Sequence, residues 1–170
     1  MDVLTCGYID LRVRWFSNDG QQSFSARVVD DDCSYCESLD VIDLDGDADL
    51  DVTSAANLGG EIAWYENDGS SFVQKRVIGT GSTPMTVDAI DVDGDGDADA
   101  VGSFFGTGPL SWYENDGSQS FGVRDVVEET TSVRSVFAID ADGDGDVDVC
   151  LLYTSPSPRD QRGSRMPSSA

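Results

Sequence analysis

Aspartate recurs at alternate positions in three short runs: "DLDGDADLD" at 43–51, "DVDGDGDAD" at 91–99 and "DADGDGDVD" at 140–148. Five carboxylates within nine residues repel one another, and a doubly charged cation at the centre of such a loop turns that repulsion into attraction. An all-oxygen donor set suits a hard divalent ion. Ca2+ takes 6–8 oxygens at flexible distances, so alternating carboxylates on a turning loop can converge on it, whereas Mg2+ prefers fewer protein ligands and more water. Gly94 and Gly96, and likewise Gly143 and Gly145, stand at loop positions four and six, where the backbone must wrap tightly. The first run has Gly46 but Ala48, a departure that predicts a weaker or strained loop. An EF-hand is excluded, because its twelfth position needs a bidentate Glu and here holds Ser54, Gly102 or Leu151. The chain has no histidine, which removes the commonest general base and the usual zinc ligand, so no Ser/His/Asp triad is available within it.

The elements that must carry these loops repeat with them. Trp15, Trp64 and Trp112 are spaced by 49 and 48 residues, and Asp43, Asp91 and Asp140 by 48 and 49. "WFSNDGQQSF", "WYENDGSSF" and "WYENDGSQSF" are copies of one segment, each followed by an arginine: Arg27, Arg76 and Arg124. Within a unit, "LDVID" or "MTVDAID" runs into the aspartate loop and "LDVTSAA" or "ADAVGSF" leaves it. "EIAWYE" or "LSWYE" follows, Asn-Asp-Gly supplies a tight turn, and a fourth segment begins at Phe24, Phe72 or Phe121. Period-two alternation and β-branched residues predict strands throughout, with no helical face. Four-stranded meanders repeating every 40 to 50 residues are the pattern of propeller blades. The expected fold is all-β: a partial β-propeller of four-stranded antiparallel blades of about 48 residues, cut at both ends. Residues 1–149 form one propeller fragment, with an incomplete blade at 1–37, blades at 38–83 and 84–132, and the start of another at 133–149. Asp2 lies 13 residues before Trp15, as Asp51 does before Trp64, which places Met1 inside a beheaded copy of the loop.

The order D-x-D-G-D-G-x-x-D, a strand, then W-Y-E-N-D-G resembles the FG-GAP-like family, also called VCBS repeats, whose blades are related to those of the integrin α-subunit propeller. The resemblance spans residues 2–149. It implies that side chains at loop positions one, three, five and nine, with the carbonyl at seven, hold one Ca2+ per loop, three in all. The implied ligands are Asp43, Asp45, Asp47 and Asp51 with the carbonyl of Asp49. In the second loop they are Asp91, Asp93, Asp95 and Asp99 with Asp97, and in the third Asp140, Asp142, Asp144 and Asp148 with Asp146. The Phe-Gly and Gly-Ala-Pro halves of the family name are missing; "TSAA" and "GSFF" follow the loops instead. The implied role is adhesion or recognition of a protein or carbohydrate ligand by a secreted or cell-surface protein, beside the remaining blades of its propeller. An accessory propeller of a carbohydrate-active enzyme is the alternative, and no catalytic constellation stands in residues 1–149.

Charge and cysteine agree with that setting. Residues 1–149 hold seven basic and 32 acidic side chains, a net of −25, which argues against nucleic acid. No apolar run approaches the ~20 residues of a membrane span. Cys33 and Cys36 in "CSYC" are expected to form a local disulfide in an extracellular connection, with Cys6 left without an evident partner. Trp64-Tyr65 and Trp112-Tyr113 read as packing between blades more readily than as a stacking platform for ligands. Residues 150–170, "CLLYTSPSPRDQRGSRMPSSA", break from this pattern into Ser, Pro and Arg. Back-translated in one frame, they fit three consecutive pieces of a transposon-based sequencing adapter: Cys150 to Ser155, Pro156 to Asp160 and Ser164 to Ala170. They are expected to be a non-native, disordered tail.

Overall fold

The computed structural model describes residues 1–131 and 133–153, and every regular element within them is a strand. β1 (Val3–Cys6), β2 (Val13–Asn18) and β3 (Phe24–Asp30) form a three-stranded antiparallel meander. β4 (Cys36–Ile42), β5 (Asp51–Ala56), β6 (Glu61–Asn67) and β7 (Phe72–Thr80) form a four-stranded one. β8 (Pro84–Ile90), β9 (Asp99–Phe104), β10 (Thr107–Asn115) and β11 (Phe121–Thr131) repeat it, and β12 (Val133–Ile139) pairs with β13 (Asp148–Tyr153). This is the all-β, propeller-like repeat that the periodicity predicts.

Cores lie between sheets. Leu44, Ile62, Trp64 and Ile78 of the second sheet pack on Val87, Ala100, Phe104 and Tyr113 of the third. Val13 and Cys33 meet Cys36, Val52 and Tyr65 at the first junction, while Val101 and Leu110 meet Val133, Val136 and Ala138 at the last. A strand covered on both faces needs no alternation of polarity, and β5 and β9 are buried along their whole length. Adjacent residues face opposite sides of a strand. Trp64 therefore joins one junction and Tyr65 the other, and both aromatics of the pair serve as core. Close approach is helped by Gly79, whose missing Cβ leaves room for the Tyr113 ring of the next sheet.

The first strands of successive sheets, β1, β4, β8 and β12, lie side by side. Side chains stitch them: Asp40 Oδ2 accepts from Ala89 N at 2.7 Å, and Asp88 Oδ2 from Ala138 N at 2.6 Å. The same adjacency decides the disulfide, and here the expectation is corrected. Cys36 bonds to Cys6, with 5.7 Å between Cα atoms, and Cys33 is a free, fully buried thiol. Cys6 ends β1 and Cys36 begins the neighbouring β4, whereas Cys33 sits in the connection before a turn at Tyr35, its amide held by Leu11 O at 2.9 Å. Closing a 30-residue separation restricts the unfolded chain by about 3–4 kcal/mol on the loop-entropy model.

At the other end, β13 continues past Val149 to Tyr153, so residues 150–153 are strand rather than disordered tail. Cys150, Leu151 and Leu152 pair with Phe137, Val136 and Ser135, and Leu151 packs on the last core. An apolar Cys-Leu-Leu-Tyr run is well suited to extend a hairpin strand. Residues 154–170 lie outside the described residues.

Candidate metal centre

Each aspartate loop connects the first two strands of a sheet. Its ninth residue opens the second strand: Asp51, Asp99 and Asp148 stand opposite Ile42, Ile90 and Ile139. The first aspartate organises the turn. Asp43 accepts amides from Gly46 (2.9 Å), Asp47 (3.1 Å) and Ala48 (3.0 Å). Asp91 accepts from Gly94 and Gly96 at 2.8 and 3.0 Å, and Asp140 from Gly143 and Gly145 at 2.7 and 3.1 Å. Backbone N–H groups thus offset part of the carboxylate repulsion, which shapes the loop ahead of any ion.

The ninth aspartate ties the loop to the rest of its sheet. Asp51 accepts from Leu44 N at 3.0 Å and Asn67 N at 2.8 Å, and Asp99 from Val92 N and Asn115 N at the same distances. Both are fully buried. Burial pushes both carboxyls above the usual carboxylate range, against the pull of those amides. Asp45 is raised as well, by partial burial and then the neighbouring Asp47 charge.

Carboxylate oxygens of positions one, three and nine converge in all three loops. Those of Asp43, Asp45 and Asp51 lie within 4.8 Å of one another, as do those of Asp91, Asp93 and Asp99, and of Asp140, Asp142 and Asp148. The fifth-position side chains stand apart from these groups: Asp47, Asp95 and Asp144 accept the amides of Asp49, Asp97 and Asp146 at 2.8, 3.0 and 2.9 Å. At position seven, the side chains of Asp49 and Asp97 lie against Gly69 and Gly117 of the Asn-Asp-Gly turn.

That turn has a second job which the sequence reading missed. Asn67 donates its amide to Asp51 and its Nδ2 to Leu50 O (3.0 Å), and Asn115 does the same with Asp99 and Ala98 O (3.1 Å). Asn18 repeats the pattern on Asp2 and Met1 O, at 3.0 and 3.1 Å, so Asp2 occupies the ninth-residue place. A constant Asp-to-Asn separation of 16 was the available signal. The arginines also acquire a role. Arg27, Arg76 and Arg124 sit across the strand pair from Trp15, Trp64 and Trp112, with guanidinium carbons 5.2, 4.8 and 4.9 Å from the indole centroids. Arg76 also pairs with Glu66 at 2.8 Å, and Arg124 with Glu114. Cation–π contacts of this kind are worth ~0.5–2 kcal/mol each.

The indole nitrogens bear on what the loops can hold. Trp15 Nε1 donates to Asp2 Oδ2 at 3.0 Å. In the first two aspartate loops that oxygen also receives Leu44 N or Val92 N, and the buried indole N–H groups of Trp64 and Trp112 turn toward the same carboxylates, Asp51 and Asp99, short of a well-aligned bond. With three convergent carboxylates, oxygen-only donors and no imidazole, the residues fit a hard divalent cation and not zinc.

Ala48 occupies the sixth loop position at φ 75°, where Gly96 and Gly145 adopt 101° and 97°. The left-handed region costs a non-glycine residue ~1–2 kcal/mol, and glycine returns part of that as unfolded-state entropy. Ala48→Gly is expected to stabilise the folded chain by about 0.5–1 kcal/mol, measured by urea unfolding against wild type. A loss of stability would show that the first loop is not strained at this residue.

Comparison with known proteins bears on the same segment. Residues 43–102 match the family model of the FG-GAP-like repeat. The matched span runs from the first loop, through β5 to β8 and the second loop, into β9. No curated protein matches the chain.

Proposed function

We propose that this propeller-like repeat module binds calcium, one ion per aspartate loop, and serves adhesion or ligand recognition outside the cell. The observation that carries the reading is the convergence of carboxylates one, three and nine in three loops of independent sheets. Asp43, Asp45 and Asp51, with their counterparts in the other two loops, would hold the ions; Asp47, Asp95 and Asp144 and the carbonyls of Asp49, Asp97 and Asp146 would complete the shell by turning inward on binding. A bound dication supplies a charge-neutralising crosslink between the two strands that flank each loop. Three of them bring +6 to a segment whose net charge is −25. The Cys6–Cys36 disulfide supports an oxidising compartment, where calcium is plentiful enough for sites with Kd of ~10⁻⁴–10⁻³ M. The partner is a protein or carbohydrate met by the surface of the assembled propeller.

Equilibrium dialysis of the whole chain against calcium tests the metal reading. Three ions per chain are expected, with magnesium displacing them only at large excess. Binding of less than one ion per chain at several millimolar calcium would overturn it.

A further inference from the structure

Of the three loops, the first is the one followed by a four-stranded sheet among the described residues, and that sheet reaches it. The first loop, between β4 and β5, receives the β10–β11 turn of the following sheet. Asn115 Nδ2, besides capping Ala98 O, donates to Leu44 O of that loop at 3.2 Å. Gln119 Nε2 stands 3.5 Å from Asp45 Oδ2, a convergent carboxylate. The other end of the same amide, Oε1, accepts from Arg76 Nη1, and Arg76 is itself fixed by Glu66 and by the Trp64 ring. Gln119 reaches this place from a left-handed backbone, φ 64°. Trp64 completes the surroundings: it is fully buried, and its Nε1–H is directed at the Asp51 carboxylate of the same loop.

We propose that the first loop is a junction site, in which Gln119 of the following sheet positions Asp45 for the cation and so couples occupancy of that loop to the docking of two blades. The proposal rests on the calcium reading above. Gln119 is a positioning residue and not a ligand. Its donor end restrains Asp45 Oδ2 while Asp47 N restrains Oδ1 at 3.3 Å, each oxygen keeping a lone pair for the ion, and its acceptor end is anchored on an arginine that belongs to the same blade as the loop. Groups that orient a metal ligand commonly change affinity by about 10–100-fold when removed. The 3.5 Å contact is long for a hydrogen bond, so a smaller effect of about three- to tenfold follows.

The test uses the full chain with loops two and three disabled by Asp93→Asn and Asp142→Asn, leaving one site to titrate with calcium by calorimetry. Gln119→Ala is expected to weaken that site about three- to tenfold while leaving the melting temperature in chelator unchanged within a degree or two. Gln119→Glu places a fourth carboxylate beside Asp45. It is expected to tighten calcium binding by a comparable factor while lowering the melting temperature in chelator. Opposite shifts in affinity from these two variants are what a merely structural turn residue does not produce. If the parent binds calcium and both variants bind it with the parent's constant, the junction proposal fails alone. If the unmodified chain takes up no calcium, the reading beneath it fails and the proposal falls with it.

Discussion

Calcium at millimolar concentration is expected to raise the thermal midpoint of this protein by about 8–16 °C over the chelated form. Three independent loops, each at roughly tenfold excess of calcium over Kd, contribute RT ln 11, or about 1.4 kcal/mol apiece. About 4 kcal/mol in total corresponds to ~2–4 °C per kcal/mol in a chain of this size. The effect comes from relieving a structural conflict. Asp45, Asp51 and Asp99 in the loops are raised above the ordinary carboxylate range, chiefly by burial, and so, away from the loops, is Asp88 at the seam of first strands, which calcium does not touch. A carboxyl raised in the folded state favours folding while protonated, and that contribution is lost as pH rises through the raised value. The chelated protein is therefore expected to melt higher in mildly acidic buffer than at neutrality. Asp2, Asp68 and Asp116 shift the other way, lowered by the Asn18 amide and by the Ser70 and Ser118 hydroxyls, but they are exposed and screened. With calcium bound the acid dependence reverses, because protons compete with the ion for the same oxygens, and the calcium increment shrinks on acidification. Scanning calorimetry in calcium, in magnesium and in chelator measures both effects. A midpoint that moves by less than a degree or two between calcium and chelator at neutral pH would sink the metal assignment.

Features that recur with the blade were legible in the chain. The loops, the Trp and Arg positions, the Asn-Asp-Gly turns and the strand order all repeat at 48 or 49 residues, and a period is visible without coordinates. Features that depend on which blades touch were not. Cys6 and Cys36 belong to different blades and to no repeat, so only the adjacency of β1 and β4 pairs them. Sequence proximity favoured Cys33, and the turn at Tyr35 separates it from its neighbour. Asn67 and Asn115 were hidden for a different reason. A tight turn already accounts for Asn-Asp-Gly, so the amide and carboxamide bonds that lock Asp51 and Asp99 added nothing that composition could reveal. Asp40 and Asp88 resemble the loop aspartates in type, yet they stitch first strands together.

The division of labour within a loop leads to the second large effect. Asp99 and Asp93 both contribute oxygens to the second carboxylate cluster, but their deletion should differ sharply when no cation is present. Asp99 is fully buried and satisfies Val92 N and Asn115 N, one in the loop and one at the far turn. In Asp99→Ala both amides lose their acceptor inside the protein, and each orphaned donor costs ~1–3 kcal/mol. Partial relaxation toward solvent leaves an expected loss of about 2–5 kcal/mol in chelator, a large share of the 5–15 kcal/mol that holds a typical domain together. Asp93 is exposed and adds to the local negative charge, so Asp93→Ala in chelator is expected to cost almost nothing or to stabilise slightly. Asp99→Asn falls between them: its carbonyl can serve one amide, its NH2 faces the other, and its neutrality suits a site where burial disfavours charge. In calcium the two alanine variants converge, since each removes a ligand from the same loop. Urea unfolding of all three variants, with and without calcium, separates the roles. Equal stability of Asp99→Ala and Asp93→Ala in chelator would show that the ninth aspartate does not brace the blade, and that the loop and the Asn-Asp-Gly turn are held together by something other than this carboxylate.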